Sequence, residues 1–174
     1  QSQSTARVKR LQKYQKPRML FFFYSTYKTI ELTNFGLFEK DTVVNLERAI
    51  LPTTRLGGHI VSGHVDTVGE IVRSELKDSG KVKSLEIRYP SQFSKYIMER
   101  GSIAVDGISL TIVNTNKNIF EILLIPETIQ KTNAKFWEKG VIVNLEMDIL
   151  ARVMENFFLK RKSGWKNFIP KFFG

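Results

Sequence analysis

The chain has two histidines, and both lie in Gly57-Gly58-His59-Ile60-Val61-Ser62-Gly63-His64. Five residues apart, they point to opposite faces of a strand and sit about 140° apart on a helix, so they do not form a chelating pair. Only Asp66 is close enough in sequence to add a ligand, and no metal site is expected. His59 takes the structural, hydrogen-bonding role that a lone histidine usually has. His64 follows a glycine and is expected to open a strand, where its side chain can face a pocket at a barrel mouth. Gly57, Gly58 and Gly63 allow the backbone to approach a flat ligand closely. Ser62 or Ser109 could pair with His64 as nucleophile and base, but no Gly-x-Ser-x-Gly elbow frames either serine. There is no cysteine, which excludes thiolate nucleophiles, disulfides and Cys-based zinc sites.

The elements that must hold these residues are mostly strands. From residue 60 onward, short apolar runs alternate with turn signals, the pattern of a β-barrel or sandwich. Strands are expected at residues 69–73, 84–89, 119–125 and 141–147, with a short helical piece over 90–98 capped by Ser91. The clearest element is Ile103-Ala-Val-Asp-Gly-Ile-Ser-Leu-Thr-Ile-Val113, a hairpin whose Asp106-Gly107 supplies the positive φ angles of a two-residue turn. Pro126 should stop the strand before it. Residues 149–159 read as a helix, because Ile149, Leu150, Val153, Met154, Phe157 and Phe158 recur at helical spacing.

The sequence repeats internally. Residues 29–47 lie over residues 128–146 at an offset of 99, with ten of 19 positions identical. About one match is expected by chance at ordinary residue frequencies. Thr-x-x-Thr-Asn and Val-Asn-Leu-Glu recur in both copies, as duplication predicts. Upstream of residue 29 the match falls to chance, so the first copy is expected to be truncated, in a fragment or an incomplete gene product.

The net charge is +10, yet residues 1–28 and 160–174 hold 12 of the 27 basic residues and no acid. That leaves 15 bases against all 17 acids in the body, so no basic groove for nucleic acid is expected there. No run of about 18 apolar residues exists that could span a membrane. In the tail, Trp165, Phe168, Ile169, Phe172 and Phe173 mark an amphipathic stripe flanked by Lys and Arg, which could lie on an anionic membrane. Pro170 interrupts it, and a disordered extension is the favoured reading.

Four segments together resemble the riboflavin synthase family. They are Gly57-Gly-His-Ile-Val-Ser-Gly-His-Val-Asp66, Gly101-Ser-Ile-Ala-Val-Asp-Gly-Ile-Ser-Leu-Thr111, Leu124-Ile-Pro-Glu-Thr-Ile129 and Val143-Asn-Leu-Glu-Met-Asp148. The likeness covers roughly residues 29–159. It implies an all-β fold: a six-stranded antiparallel Greek-key barrel, one copy complete and one truncated, with a C-terminal helix. The organisation then expected is a basic, disordered segment 1–18 and a remnant of the first lumazine-binding barrel at 19–58. The complete second barrel follows at 59–148, then an oligomerisation helix at 149–159 and a basic aromatic tail at 160–174. The family reaction is a dismutation. One dimethyl-ribityllumazine gives a four-carbon unit to another, yielding riboflavin and a ribitylamino-pyrimidine, with no metal or other cofactor.

Carried over by motif, the resemblance makes His64 the proton carrier, with Ser109 and Asp148 beside it as catalytic residues. An imidazole is the side chain best suited to move a proton near neutral pH. Gly63, Val65, Arg100, Leu110 and Thr111 would join them at the ligand. Leu124, Ile125, Pro126, Glu127, Thr128 and Ile129 would line the ring and ribityl chain. Thr29 and Ile30 are what remains of that segment in the first copy. The implied partners are dimethyl-ribityllumazine, riboflavin and two further copies in a homotrimer. A cytoplasmic location is expected, or a plastid one in a eukaryote. The family's opening Phe-Thr-Gly is absent, so a non-catalytic lumazine or flavin binder, or an inactive fragment, is the alternative.

Overall fold

The computed structural model describes residues 5–8, 21–51, 53 and 55–168. Its centre is a closed antiparallel barrel of six strands. These are β3 (Thr67–Lys77), β4 (Val82–Arg88), β5 (Ser102–Val105), β6 (Ile108–Asn116), β7 (Ile119–Leu124) and β8 (Ile142–Met147). They close in the order β3-β4-β7-β6-β5-β8. Hairpins join β5, β6 and β7, while β4 lies beside β7, which makes the motif a Greek key. The shorter β1 (Thr5–Val8) and β2 (Phe21–Tyr24) pair separately.

Alternation decides which face of each strand goes inward. Ile71, Leu85, Ile103, Phe120 and Leu145 point into the barrel and are at most 1% exposed. At the β5–β6 turn, Asp106 and Gly107 adopt φ of 44° and 81°, the two positive angles that the sequence predicts. Gly69 sits where β3 pairs with β4 and β8 at once. A Cβ there would lie 2.8 Å from both Ile87 Cγ2 and Leu145 Cδ1 and 3.0 Å from Arg88 O, so any larger residue would force these neighbours to shift.

The barrel end is plugged from the β7–β8 connection, which holds α2 (Pro126–Lys131) and a 3-10 turn at Asn133–Phe136. Ala134 and Trp137 from this connection are buried in the core. Residues 27–37 repeat the same local structure, as α1 (Tyr27–Leu32) and a 3-10 turn at Asn34–Leu37. Here Phe35 and Phe38 hold the positions of Ala134 and Trp137, but the described residues close no barrel over them. They line an open apolar cavity of about 840 Å3 at the junction with the complete barrel.

Four asparagines tie the two repeats together. The Asn34 N–H donates to Asn144 Oδ1 at 2.8 Å, and the Asn133 N–H donates to Asn45 Oδ1 at 2.8 Å. Offset by 99 residues, these are the same bond made twice, across a local twofold. Asn144 Nδ2 returns a bond to Asn34 Oδ1 at 2.7 Å, and Asn45 Nδ2 donates to Asn133 Oδ1 at 2.9 Å. Asp106 joins them by accepting from the Asn144 N–H at 2.7 Å and Asn133 Nδ2 at 3.0 Å.

Several sequence expectations shift in detail. The piece near residue 90 is a 3-10 turn, Ser91–Tyr96, entered at Pro90 without a side-chain cap, so Ser91 does not cap it. Pro126 opens α2 rather than merely ending β7. The C-terminal helix α3 (Ile149–Phe168) runs on through the first part of the tail, where the sequence favours disorder. Within residues 1–18, Thr5–Val8 form a strand. The rest of that segment, and of the tail beyond Phe168, lies outside the described residues. No described helix is long and apolar enough to cross a membrane.

Two measurements test this packing. In urea melts, Trp137→Ala should cost about 3–5 kcal/mol, because it empties a closed core. Phe38→Ala, at the matching place in the open repeat, should cost much less. Equal losses would contradict the assignment of one closed and one open repeat. The second test concerns Asp106. Burial pushes its carboxyl up from the ordinary value, against the hydrogen bonds from Asn144 and Asn133, which lower it. Its contribution to stability is therefore complete below the unfolded value of about 3.9 and is lost as pH rises through the folded one. As pH rises above about 4, wild type should lose stability relative to Asp106→Asn. Parallel pH curves for the two would refute this.

Candidate functional site

The outer face of the barrel at β5, β6 and β8 carries Ser109 and Thr111, and the segment holding Gly63, His64 and Val65 crosses it. Ala104 pairs with Ser109 on one side and Glu146 on the other, so all three side chains share one face. Residues 57–66 cross that face as an irregular strap rather than as a strand. His64 thus does not open β3, as the sequence reading expects. It precedes the strand by three residues and is exposed.

Two polar anchors hold the strap. At one end, Ser109 Oγ accepts the His59 N–H at 3.1 Å and lies 2.7 Å from His59 Nδ1. Gly58 packs on the same hydroxyl so tightly that a Cβ would fall 2.4 Å from Ser109 Oγ. At the other end, the buried Glu146 carboxylate accepts three hydrogen bonds. Its Oε1 takes the Ser62 N–H at 2.7 Å and the Ser62 hydroxyl at 2.8 Å, and its Oε2 takes the Gly63 N–H at 3.0 Å. Gly63 turns there with φ of 80°. Ser62 Oγ lies 3.0 Å from His64 Nδ1.

These contacts show what Ser109 and Asp148 touch within the chain. The Ser109 hydroxyl is engaged by His59, so it acts on the strap, and His59 has the hydrogen-bonding role expected of it. Asp148 caps α3 by accepting the Leu150 N–H at 2.9 Å. The carboxylate that reaches the His64 segment is Glu146, which sequence reasoning left unassigned. Asp66 anchors the end of the strap, accepting the Met147 N–H at 2.7 Å and Arg152 Nη1 at 2.9 Å.

The other predicted residues fall around this face. Leu110 is half-buried and packs on the core, while Thr111 is exposed on β6. Arg100 is exposed with φ of 64°, and its N–H donates to Ile112 O at 2.8 Å, just before β5. Leu124 ends β7 inside the core, Ile125 is exposed, and Pro126 begins α2. Glu127 pairs with Lys131 along α2, while Thr128 is half-buried and Ile129 packs on the core. Val65 is half-buried in the strap. Thr29 and Ile30 lie apart, on α1, and Thr29 is the one predicted site residue among those lining the junction cavity. That cavity is the open interior of the first repeat and not the strap-covered face.

Residues 62–148 match the model of the lumazine binding domain. The chain is 44% identical over 135 residues to the riboflavin synthase of Photobacterium phosphoreum, covering 78% of this chain and 61% of that protein. It is 41% identical over 140 residues to riboflavin synthase of Mycobacterium tuberculosis, covering 79% and 68%. The chain therefore spans about three fifths of the length of the first of these. Among solved structures, LumP complexed with 6,7-dimethyl-8-(1'-D-ribityl) lumazine superposes with a TM-score of 0.65 at 22% identity, covering 76% of this chain and 69% of that one. LumP complexed with riboflavin gives 0.60 at 24%, covering 69% and 64%, and both show the shared fold. A closed six-stranded barrel, a strap carrying Ser62-Gly63-His64 and these likenesses lead to one conclusion: the chain belongs to the riboflavin synthase family and carries its lumazine binding domain.

Proposed function

We propose that this chain is a riboflavin synthase-type transferase subunit whose complete barrel binds dimethyl-ribityllumazine and its product riboflavin. The observation that carries this reading is the strap pinned across β5, β6 and β8. It holds Gly63 on Glu146, two strand spacings (about 10 Å) across the sheet from Ser109, with His64 next in the chain. A flat ring can lie against Gly63, where no side chain intervenes, with Thr111 and the 124–129 segment along its edge. The reaction is the dismutation of two lumazines into riboflavin and a ribitylamino-pyrimidine, with His64 moving the proton. Arg100, exposed at the entrance to β5, is free to reach a ligand held by a neighbouring copy. Leu150, Val153, Met154, Phe157 and Phe158 leave an exposed apolar stripe on α3, which suits association into a trimer. The proposed setting is the cytoplasm.

A second reading, a non-catalytic lumazine or flavin binder, is favoured by the open first repeat. Dismutation needs two bound substrates, and the described residues close only one barrel. The two readings separate in the tube. Riboflavin fluorescence should be quenched or shifted on mixing with the chain, and Thr111→Ala should weaken binding about fivefold, the loss of one hydrogen bond worth about 1 kcal/mol. No binding at millimolar riboflavin would eliminate both readings. In a steady-state assay of lumazine loss, the 174-residue chain alone should show little or no turnover. Turnover at an ordinary enzymatic rate, about 10 per second, would instead place both half-sites within it.

A further inference from the structure

Glu146 is 5% exposed, and all three hydrogen bonds it accepts come from Ser62 and Gly63. A buried carboxylate that accepts from a hydroxyl fixes the direction of that hydroxyl. Ser62 must donate its single hydrogen to Glu146 Oε1, because an ionised carboxylate has none to give. The Ser62 oxygen can then only accept from its other neighbour, His64 Nδ1, at 3.0 Å. We infer that Glu146, acting through Ser62, is a positioning residue that keeps a proton on His64 Nδ1. His64 Nε2 is thereby the one ring atom that takes up and gives back a proton.

The polarity runs opposite to that of a serine nucleophile. In a nucleophile–base pair the hydroxyl donates to the imidazole, whereas here the imidazole donates to the hydroxyl. Ser62 is thus a relay between carboxylate and ring. The geometry serves both charge states of His64, because Nδ1–H donates to Ser62 in the neutral ring and in the imidazolium alike. Proton traffic at Nε2 therefore needs no rearrangement of the strap. The same carboxylate fixes ring orientation, since the Ser62 and Gly63 amides that it holds are the backbone leading into His64. The tautomer assignment stands on geometry alone, and its use in catalysis rests on the proposed function above.

The test uses the full chain labelled with 15N-histidine, in which His59 and His64 give separate long-range 1H–15N patterns. Above the titration of His64, wild type should show the Nδ1–H form. Ser62→Ala keeps both backbone bonds to Glu146 and removes only the relay, so His64 should move to the Nε2–H form with the rest of the spectrum unchanged. Glu146→Ala, which removes the acceptor, should cause the same change and also speed amide exchange at Ser62 and Gly63. A purely structural Glu146 would loosen the strap without changing the tautomer in Ser62→Ala. An Nε2–H form in wild type, or an unchanged tautomer in Ser62→Ala, would overturn the inference. Adding saturating riboflavin separates the two claims. His64 signals that ignore riboflavin would count against the ligand site while leaving the tautomer assignment intact.

Discussion

The outward face of β8 is the constraint on which everything outside the barrel depends. Its inward residues, Val143, Leu145 and Met147, are buried and close the barrel between β3 and β5. The alternation of a strand then forces Asn144 and Glu146 onto the opposite side, two residues apart. Asn144 fastens the first repeat through Asn34, and Glu146 fastens the strap through Ser62 and Gly63. One ladder position thus sets the junction of the repeats and the next sets the candidate site. Both are fixed by the register that buries the apolar face, since a slip of one residue would turn Asn144 and Glu146 into the core.

The internal repeat shows what that register does when a barrel is not closed around it. Val44-Asn45-Leu46-Glu47 matches Val143-Asn144-Leu145-Glu146 residue for residue. Asn45 makes its bonds to Asn133 and to the Asp106 carbonyl, as its place in the local twofold requires. Yet Leu46 is more than half exposed and Glu47 lies at the surface, whereas Leu145 and Glu146 are buried. Identical residues have taken different environments because, among the described residues, only one copy has its neighbouring strands. Pairing between the repeats is a property of the polar residues, and burial is a property of the closed sheet.

That division explains which parts were legible beforehand. Alternation, the Asp106-Gly107 turn and the repeat are local or periodic signals, so the barrel strands and hairpin could be placed from them. The anchors could not. His59 meets Ser109 across 50 residues and Ser62 meets Glu146 across 84, and nothing local encodes either meeting. The sequence motifs therefore point to Ser109 and Asp148 but leave Glu146 unassigned. A signal for Glu146 was present in the alternation itself: a carboxylate between Leu145 and Met147, both core-facing, must point out from a central strand. His64 was misplaced by three residues because glycine followed by an apolar run reads as a strand start, while the polar bonds of the strap outweigh that propensity.

The manner in which the strap is held also sets how it behaves. Most of residues 57–64 are exposed, so little apolar burial fixes them. Their position relies on Ser109 at one end and on Glu146 and Asp66 at the other. Hydrogen bonds to a charged acceptor are worth about 1.5–3 kcal/mol each, less than the burial of a core strand. The strap can then open locally at less cost than a barrel strand, while the barrel beneath it stays closed. Glu146 points outward from β8 and is covered by the strap, so releasing the strap would expose its carboxylate to water in exchange for the three hydrogen bonds it loses. Each closure is set by the same bonds, because the amides of Ser62 and Gly63 must return to Glu146, and they belong to the backbone that leads into His64.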